Sequence, residues 1–301
     1  MSITSLLTGA TGFLGRIIHE HQQVRTLRLG RGAQNDIRCD LSREVPGLPE
    51  VHAVIHNAGK AHVVPRTPKE ADEFHAVNYQ GTLHLLEGLK AKPPRRFVLI
   101  STVAVYGCER GERIDEGQVL AGETPYAKSK IRAERAVREW CTVREVPYLI
   151  LRLPLVVGEG APGNLGAISR MIRRGRYVRI GQNPARKSMV LARDVAALLA
   201  QPPQGSGTYN LTDGVHPSFQ ELEQAIAAAH GRKLRLQLPP GLLRRGARVG
   251  DQLRDWKLPF PLYSERLDKM MATLTFSDDK ARRELGWAPT PVLEAIPGMK
   301  I

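Results

Sequence analysis

The chain has 301 residues, 42% of them hydrophobic, and carries 44 Lys and Arg against 30 Asp and Glu, a formal net charge of +14. That apolar content can bury one large α/β domain, or a nucleotide-binding domain with a smaller lobe. No apolar run of about 18 residues marks a membrane-spanning helix, and Cys39, Cys108 and Cys141 are too scattered for a disulfide framework or a metal cluster. The charge suits nucleic acid, an anionic membrane or an anionic substrate, but with 5% aromatic residues the stacking platforms that nucleic acid needs are scarce, and no nucleic-acid partner is expected.

The run from Ile3 to Leu7 has strand length and leaves no room for a signal peptide, so a cytoplasmic location is expected. Thr8-Gly9-Ala10-Thr11-Gly12-Phe13-Leu14-Gly15 follows, and Leu14, Ile17 and Ile18 then recur at helical spacing. Strand, glycine turn and helix are the context of a dinucleotide-binding fingerprint. One glycine takes a backbone angle closed to other residues, one lets the main chain approach a pyrophosphate, and one lets helix and strand pack closely. Free N–H groups at the helix N-terminus then face the phosphates.

Further strands are expected over 24–29 and 53–56, then a helix over 70–90 with Phe74, Val77, Leu85 and Leu89 inward. Residues 97–101, Phe-Val-Leu-Ile-Ser, form a continuous run typical of a buried parallel strand. A helix over 126–143 and a strand over 148–152 come next. Alternation at this period implies βαβ units with right-handed crossovers: an α/β fold whose Rossmann-like, doubly wound parallel sheet occupies residues 1–153. After Pro154 the pattern changes. Residues 158–166 hold four glycines and a proline, which reads as a loop over a ligand. Helices are expected over 165–174, from Ser218 with Glu221 as a capping box, and from Ser277 to Gly286, with a strand over 208–212. Residues 154–301 are read mainly as a smaller mixed α/β substrate lobe that returns in part to the Rossmann sheet. The nine histidines show no ligand spacing, so no metal site is expected.

Tyr126 and Lys130, four apart on a helix, share a face. An ammonium beside a phenol stabilises phenolate and lowers its pKa from about 10 toward the working range, which makes a general acid/base for a carbonyl–alcohol interconversion. Ser101-Thr102 lies at the C-terminal end of a central parallel strand, where open α/β sheets place ligands.

Together these segments resemble the extended short-chain dehydrogenase/reductase family, in its nucleotide-sugar branch. Thr8 to Gly15 matches the family's Thr-Gly-x-x-Gly-x-x-Gly, Asp40-Leu41 its acidic pair near the adenine, and Asn57-Ala58-Gly59 its strand-end motif. Asn78-Tyr79-Gln80-Gly81-Thr82 matches its helix motif, and Ser101 to Gly107 its Ser-Ser/Thr-x-x-Val-Tyr-Gly segment. Tyr126-Ala127-Lys128-Ser129-Lys130 matches its Tyr–Lys helix, and Leu151-Arg152-Leu153-Pro154 through Gly158 its return to the cofactor. The resemblance implies catalytic roles for Thr102, Tyr126 and Lys130. It implies cofactor contacts from Gly9, Thr11, Gly12, Phe13, Leu14, Gly15, Arg31, Asp40, Leu41, Asn57, Ala58, Gly59, Asn78 and Leu153, besides Tyr126 and Lys130. For the substrate, a nucleotide-diphosphate sugar, it implies Lys60, Thr102, Val103, Asn164, Arg186, Lys187 and Arg266, whose cations would hold the diphosphate. A homodimer is the assembly it implies.

Two departures narrow the expectation. Arg31 follows the second strand where NAD-preferring relatives carry an acid; an acid bonds the ribose 2′-hydroxyl, whereas an arginine accommodates a 2′-phosphate, so NADP(H) is expected before NAD(H). Val103 and Ala104 stand where sugar 4,6-dehydratases carry an acid/base pair, so water elimination is not expected. What remains is hydride transfer at sugar C4, as a 4-keto-sugar reductase before a UDP-sugar 4-epimerase. A redox-silent Rossmann binding module would have little use for Thr102, Tyr126 and Lys130 together. Finally, Leu242, Gly246, Val249 and Leu253 recur at helical spacing, bordered by Arg244, Arg245, Arg248 and Arg254. That face suits packing on the lobe or peripheral association with a membrane.

Overall fold

The computed structural model describes residues 3–299 apart from His62, Gly163, Gln182, Pro202, Pro203, Arg235 and residues 256–262. β1 (Thr4–Thr8), α1 (Phe13–His21), β2 (Arg25–Gly30), the two-residue β3 (Ile37–Arg38) and β4 (Ala53–His56) open the chain. α2 (Pro68–Phe74), a π-helical turn (His75–Gln80) and α3 (Gly81–Gly88) lead to β5 (Arg96–Thr102). Beyond the short β6 (Gly111–Ile114), α4 (Pro125–Val143) returns to β7 (Tyr148–Leu153). The remainder runs through β8 (Leu155–Val157), α5 (Asn164–Arg173), β9 (Val178–Ile180), β10 (Met189–Leu191), α6 (Ala192–Ala200), β11 (Gly207–Asn210) and α7 (Phe219–Ala229). It ends with β12 (Leu236–Leu238), α8 (Pro240–Asp255), α9 (Ser264–Met271), β13 (Leu274–Phe276), α10 (Asp279–Leu285) and α11 (Val292–Ala295).

Seven strands make one sheet in the order β11-β7-β5-β4-β1-β2-β3, every pairing parallel. Side chains alternate between two cores. Leu7, Ile55, Val98 and Leu151 pack on one face with Ile18, Val195 and Leu199; Leu6, Val54, Phe97, Leu99 and Ile150 pack on the other with Leu85, Leu89 and Val137. Both faces are covered, which is why these strands read as continuous apolar runs. The chain steps from β1 outward through β2 and β3, then returns to the far side of β1 for β4, β5, β7 and β11. That reversal puts a crevice at the C-terminal ends of β1 and β4, the place where open parallel sheets hold ligands.

Residues after 153 contribute both to the sheet and to a further hydrophobic core. β11 extends the sheet edge, α6 packs against α1, and Leu285 and Trp287 join the core on that face, the indole donating to Thr212 O at 2.9 Å. A separate cluster, Val157, Leu165, Ile172, Met189, Leu222 and Ile226 among it, forms that further core. Ser218 and Glu221 make the capping box at α7.

Three local differences from the sequence reading have physical reasons. A short β3 precedes the strand expected third, because Cys39 N–H donates to Gly30 O and draws residues 37–38 alongside β2. The helix over 70–90 is interrupted by the π-turn, so the buried Asn78 takes an inward place and Val77 is only half-buried. The last of the three expected helices starts at Asp279, whose N–H is held by Ser277 Oγ.

One buried ionic network ties helix to sheet. Glu134 of α4 and Arg152 of β7 have side chains 1% and 3% exposed, and their carboxylate and guanidinium meet at 2.7–3.2 Å. Ser101 Oγ donates to the same carboxylate, while Arg152 donates to Tyr106 Oη (3.0 Å), which donates to Asn210 Oδ1 (2.7 Å). Removing one partner of a buried pair costs about 3–5 kcal/mol, whereas replacing both with apolar groups is far milder. Arg152→Met should therefore lower the urea-unfolding free energy by about that amount, and Glu134→Leu/Arg152→Met should regain much of it; a single variant with the wild-type midpoint would contradict this assignment.

Candidate active site

The glycine turn joins β1 to α1 at the crevice. Gly9 has φ +69°, and a Cβ there would lie 2.7 Å from Ala58 N; a Cβ on Gly15 would lie 2.0 Å from Gly9 O. Both glycines are demanded by the fold itself. Gly12 is different: a Cβ there would meet only Gly9 O, at 3.4 Å, so the protein's own packing barely restricts it. Gly12 caps α1 without a side-chain hydrogen bond, and the first turn holds no acid. The first N–H groups of α1 and the positive end of its dipole are thus offered to an anion. Phe13 leans on Gly158 beyond β8, where an added Cβ would lie 3.0 Å from its ring. That brings residues 157–158 back against the turn. Thr11 beside it is exposed.

A directional hydrogen-bond chain crosses the crevice beneath this turn. Ala58 N–H donates to Thr8 Oγ1 (3.0 Å), and Thr8 donates to His56 Nδ1 (2.7 Å). His56 Nε2–H donates to Thr82 Oγ1 (3.0 Å), and Thr82 donates to Asn78 O (2.6 Å). The pattern requires neutral His56 with its proton on Nε2. Burial, helped by the charge of Lys130, pushes this imidazole down to about 3. Asn78 closes the chain with its side chain: Oδ1 accepts from Lys60 N (2.7 Å), and Nδ2 donates to Lys60 O (3.0 Å) and Ser129 Oγ (2.9 Å). Ser129 in turn donates to Tyr126 O (2.7 Å). Asn57 Nδ2 donates to Gly9 O at 3.3 Å. The segments carrying Gly9, Asn57–Lys60, Asn78 and Tyr126 are therefore one hydrogen-bonded body.

Tyr126, Ser129, Lys130 and Glu134 fall on one face of α4, whose N-terminus is fixed by Thr124 Oγ1 accepting from Ala127 N and by Pro125 in the first turn. The Tyr126 phenol stands within reach of the Thr102 side chain, which acts to lower its pKa. Thr102 ends β5, beside Leu153 of β7. Lys130 is buried and donates to Ile100 O at 2.6 Å; burial, opposed by Glu134, brings its ammonium down to about 8. The expected lowering of the phenol pKa is absent. Burial raises Tyr126, the neighbouring Thr102 only partly offsets it, and the Lys130 ammonium is turned to Ile100 O instead, where it feels the charge of Glu134. The phenol therefore keeps its proton.

The other candidates divide. Arg31 is exposed at the end of β2, and its charge reaches Asp40. Burial opposes ionisation of Asp40, but bonds from Ser42 and the charges of Arg31 and Arg43 lower its pKa overall. Leu41 is buried against Gly81. Lys60 is ion-paired with Glu73 and stands 5.4 Å over the Phe74 ring, which also faces Tyr126. Val103 packs with Leu274 and Phe276. Arg186 donates to His216 O (3.0 Å) and lies 3.9 Å from Glu221, while Lys187 donates to Lys269 O (2.9 Å). The side chains of Asn164 and Arg266 lie outside the described residues. Sequence reasoning missed His56, Ser129, Glu73 and Glu134; each would have been visible only through a partner distant in the chain.

His56 gives the site a pH signature. Neutral when folded, it binds a proton near pH 6.5 once unfolded. The unfolded state therefore takes up the extra proton, and this residue's share of stability is lost as pH falls from about 6.5 toward 3, by about 1.4 kcal/mol per unit. Urea unfolding between pH 7 and 4 should show a shallower pH slope for His56→Gln than for wild type; parallel slopes would place the acid sensitivity elsewhere.

Residues 5–201 match the NAD dependent epimerase/dehydratase family. The UDP-glucose 4-epimerase of Vibrio cholerae is 23% identical, the match covering 96% of this chain and 92% of the relative. The GDP-6-deoxy-D-mannose reductase of Pseudomonas aeruginosa is 27% identical over 66% of this chain and 69% of its own. Among solved structures, RMD from Pseudomonas aeruginosa complexed with NADPH shares the fold with a TM-score of 0.71 at 21% identity, covering 98% of this chain and 97% of that one. With well over half of its length matched, the chain belongs to the NAD dependent epimerase/dehydratase family.

Proposed function

We propose that the protein is a nicotinamide-dependent nucleotide-sugar oxidoreductase, acting as an NADPH-dependent 4-keto-sugar reductase. The observation that carries this reading is the juxtaposition of Thr102 and the Tyr126 phenol at the end of a central strand, with buried Lys130 one helical turn on. The protein's own atoms fit a dinucleotide: α1 starts without a side-chain cap, and Gly12 leaves room that the fold itself does not need. Gly9–Gly15, Asp40, Leu41, Asn57–Gly59, Asn78, Lys130 and Leu153 are the residues assigned to hold it. A bound nicotinamide supplies hydride exchange with a carbon, here C4 of the sugar.

Tyr126 donates its phenolic proton to O4 as the carbonyl becomes an alcohol, and Thr102 Oγ1 fixes the direction of O4. Reduction begins with the tyrosine as the acid, a start in keeping with the burial that raises the Tyr126 pKa. An epimerase has to begin with the tyrosine as base. Val103 and Ala104 offer no acid or base for water elimination. Arg186, 52% exposed and only loosely paired, is the better cation for the substrate diphosphate; Lys187 is tied to Lys269 O and serves as a brace.

The choice of NADPH rests on β2. Asp36, the first acid after it in the sequence, is committed to Arg28, which donates to both carboxylate oxygens at 2.8–3.2 Å and, chiefly through those bonds, holds the carboxyl down to about 2. That leaves exposed Arg31 to meet a 2′-phosphate. The alternative is a 4-epimerase that retains NAD, a reading that the likeness to the Vibrio cholerae enzyme supports.

Tyr126→Phe keeps the ring packing and removes the proton; kcat should fall by at least about 100-fold with NADPH affinity nearly unchanged, and a near wild-type rate would dismiss Tyr126 as donor. Arg31→Asp should move preference toward NADH in paired kcat/KM measurements, since it replaces attraction to a 2′-phosphate by repulsion; an unchanged ratio would place the discrimination elsewhere.

A further inference from the structure

We propose that the outer face of α8 seats the protein on an anionic lipid surface. The charge of the chain is not evenly spread: residues 164–256 carry 15 Lys and Arg against 6 Asp and Glu, so nine of the fourteen net positive charges fall there. Some of those cations are engaged, Arg179 with Glu223 and Arg186 and Lys187 with backbone carbonyls. Three of those on α8 are not. Arg244, Arg245 and Arg248 are exposed, and none of them pairs with a carboxylate among the described residues.

The inner side of α8 is accounted for by packing: Ala247 is buried, with Leu243 beside it, against Leu267, Met270 and Met271 of α9. Its outer side is apolar as well. Leu242 and Val249, seven apart, are 51% and 52% exposed. At about 100° per residue they share one line, with Arg245 next to them and Arg248 and Arg244 further round. Gly246 is half-buried at the edge of this line, and the side chains of Leu253 and Arg254 lie outside the described residues. No helix among the described residues is long and apolar enough to cross a membrane. A face of two exposed aliphatic side chains beside three unpaired guanidiniums matches a helix lying in the headgroup boundary, its arginines on lipid phosphates and Leu242 and Val249 dipping below. Nucleic acid would use the arginines and leave both aliphatic side chains in water. The ends of α5 and α7 add to the lobe's positive field: Arg232 and Lys233 line an open cavity with Gly175 and Tyr177 there.

Flotation of the full chain with vesicles of phosphatidylcholine alone, and with about 30 mol% phosphatidylglycerol added, tests this at about 0.1 M and 0.5 M NaCl. Binding should be confined to the anionic vesicles and weaken at the higher salt. Each basic residue near such a surface is worth about fivefold in partitioning, so Arg244→Glu/Arg245→Glu/Arg248→Glu should lower the partition coefficient at least about 100-fold. Leu242→Ser/Val249→Ser should lower it several-fold, and neither variant should change the thermal midpoint or the rate with soluble substrate. Absence of wild-type binding to anionic vesicles, flotation of the arginine variant like wild type, or full displacement by a stoichiometric RNA oligonucleotide would each overturn the proposal.

Discussion

The carboxylate of Glu134 is the constraint on which the site depends. It sits on α4 one helical turn beyond Lys130, and accepts from Ser101 of β5 and from the Arg152 guanidinium of β7. A helix carrying a charged group into a dry space has few places to rest; here the paired charges fix both its rotation and its height against the strand ends. Tyr126 and Lys130 share that helix face, so the same contacts that neutralise Glu134 aim the phenol at Thr102 and the ammonium at Ile100 O. Arg152 passes the constraint on through Tyr106 and Asn210, which holds Ile114 O and thereby the β6–β13 pair beside the site.

A second constraint acts on the cofactor side. Gly9 packs on Ala58 and Gly15 on Gly9, and the Thr8–His56–Thr82 chain locks β1, β4 and α3 at one height. The chain has a definite sense because His56 stays neutral. Protonation would give Nδ1 a hydrogen aimed at a hydroxyl that already donates to it. Asn78 joins the two constraints, since its side-chain amide spans Lys60 and Ser129. The π-turn that carries Asn78 inward is thus part of the site's construction, in keeping with the tendency of such turns to occur at functional positions.

The sheet was legible because its strands are buried on both faces, which leaves unbroken apolar runs such as residues 97–100, and because glycine and proline punctuate the crossovers. Thr102, Tyr126 and Lys130 were legible as a spacing on elements of known type. The polar interior was not. Thr8 and His56 stand 48 residues apart, and Ser101 and Glu134 stand 33 apart; each reads alone as an ordinary surface residue, and only the parallel register brings them together. The direction of the Tyr126 pKa was misread for the same reason. Spacing on the helix put an ammonium near the phenol, but the Ile100 carbonyl and Glu134, supplied by other parts of the fold, draw it away. Lys187 was singled out by its charge, whereas its partner, the Lys269 carbonyl, belongs to the distant α9.

The central claim is that Tyr126 gives a proton while C4 gains a hydride, once per turnover and without return. Its most direct test is isotopic. The protein is incubated with a UDP-4-keto-sugar and NADPH deuterated at the transferring position of the nicotinamide, and the product sugar is examined by mass spectrometry and NMR. One deuterium per sugar, located at C4 and matched by an equal amount of NADPH oxidised, is the result predicted. Interconversion of UDP-sugar 4-epimers with no deuterium taken up, by protein that already holds NAD, would contradict it and make the enzyme a 4-epimerase.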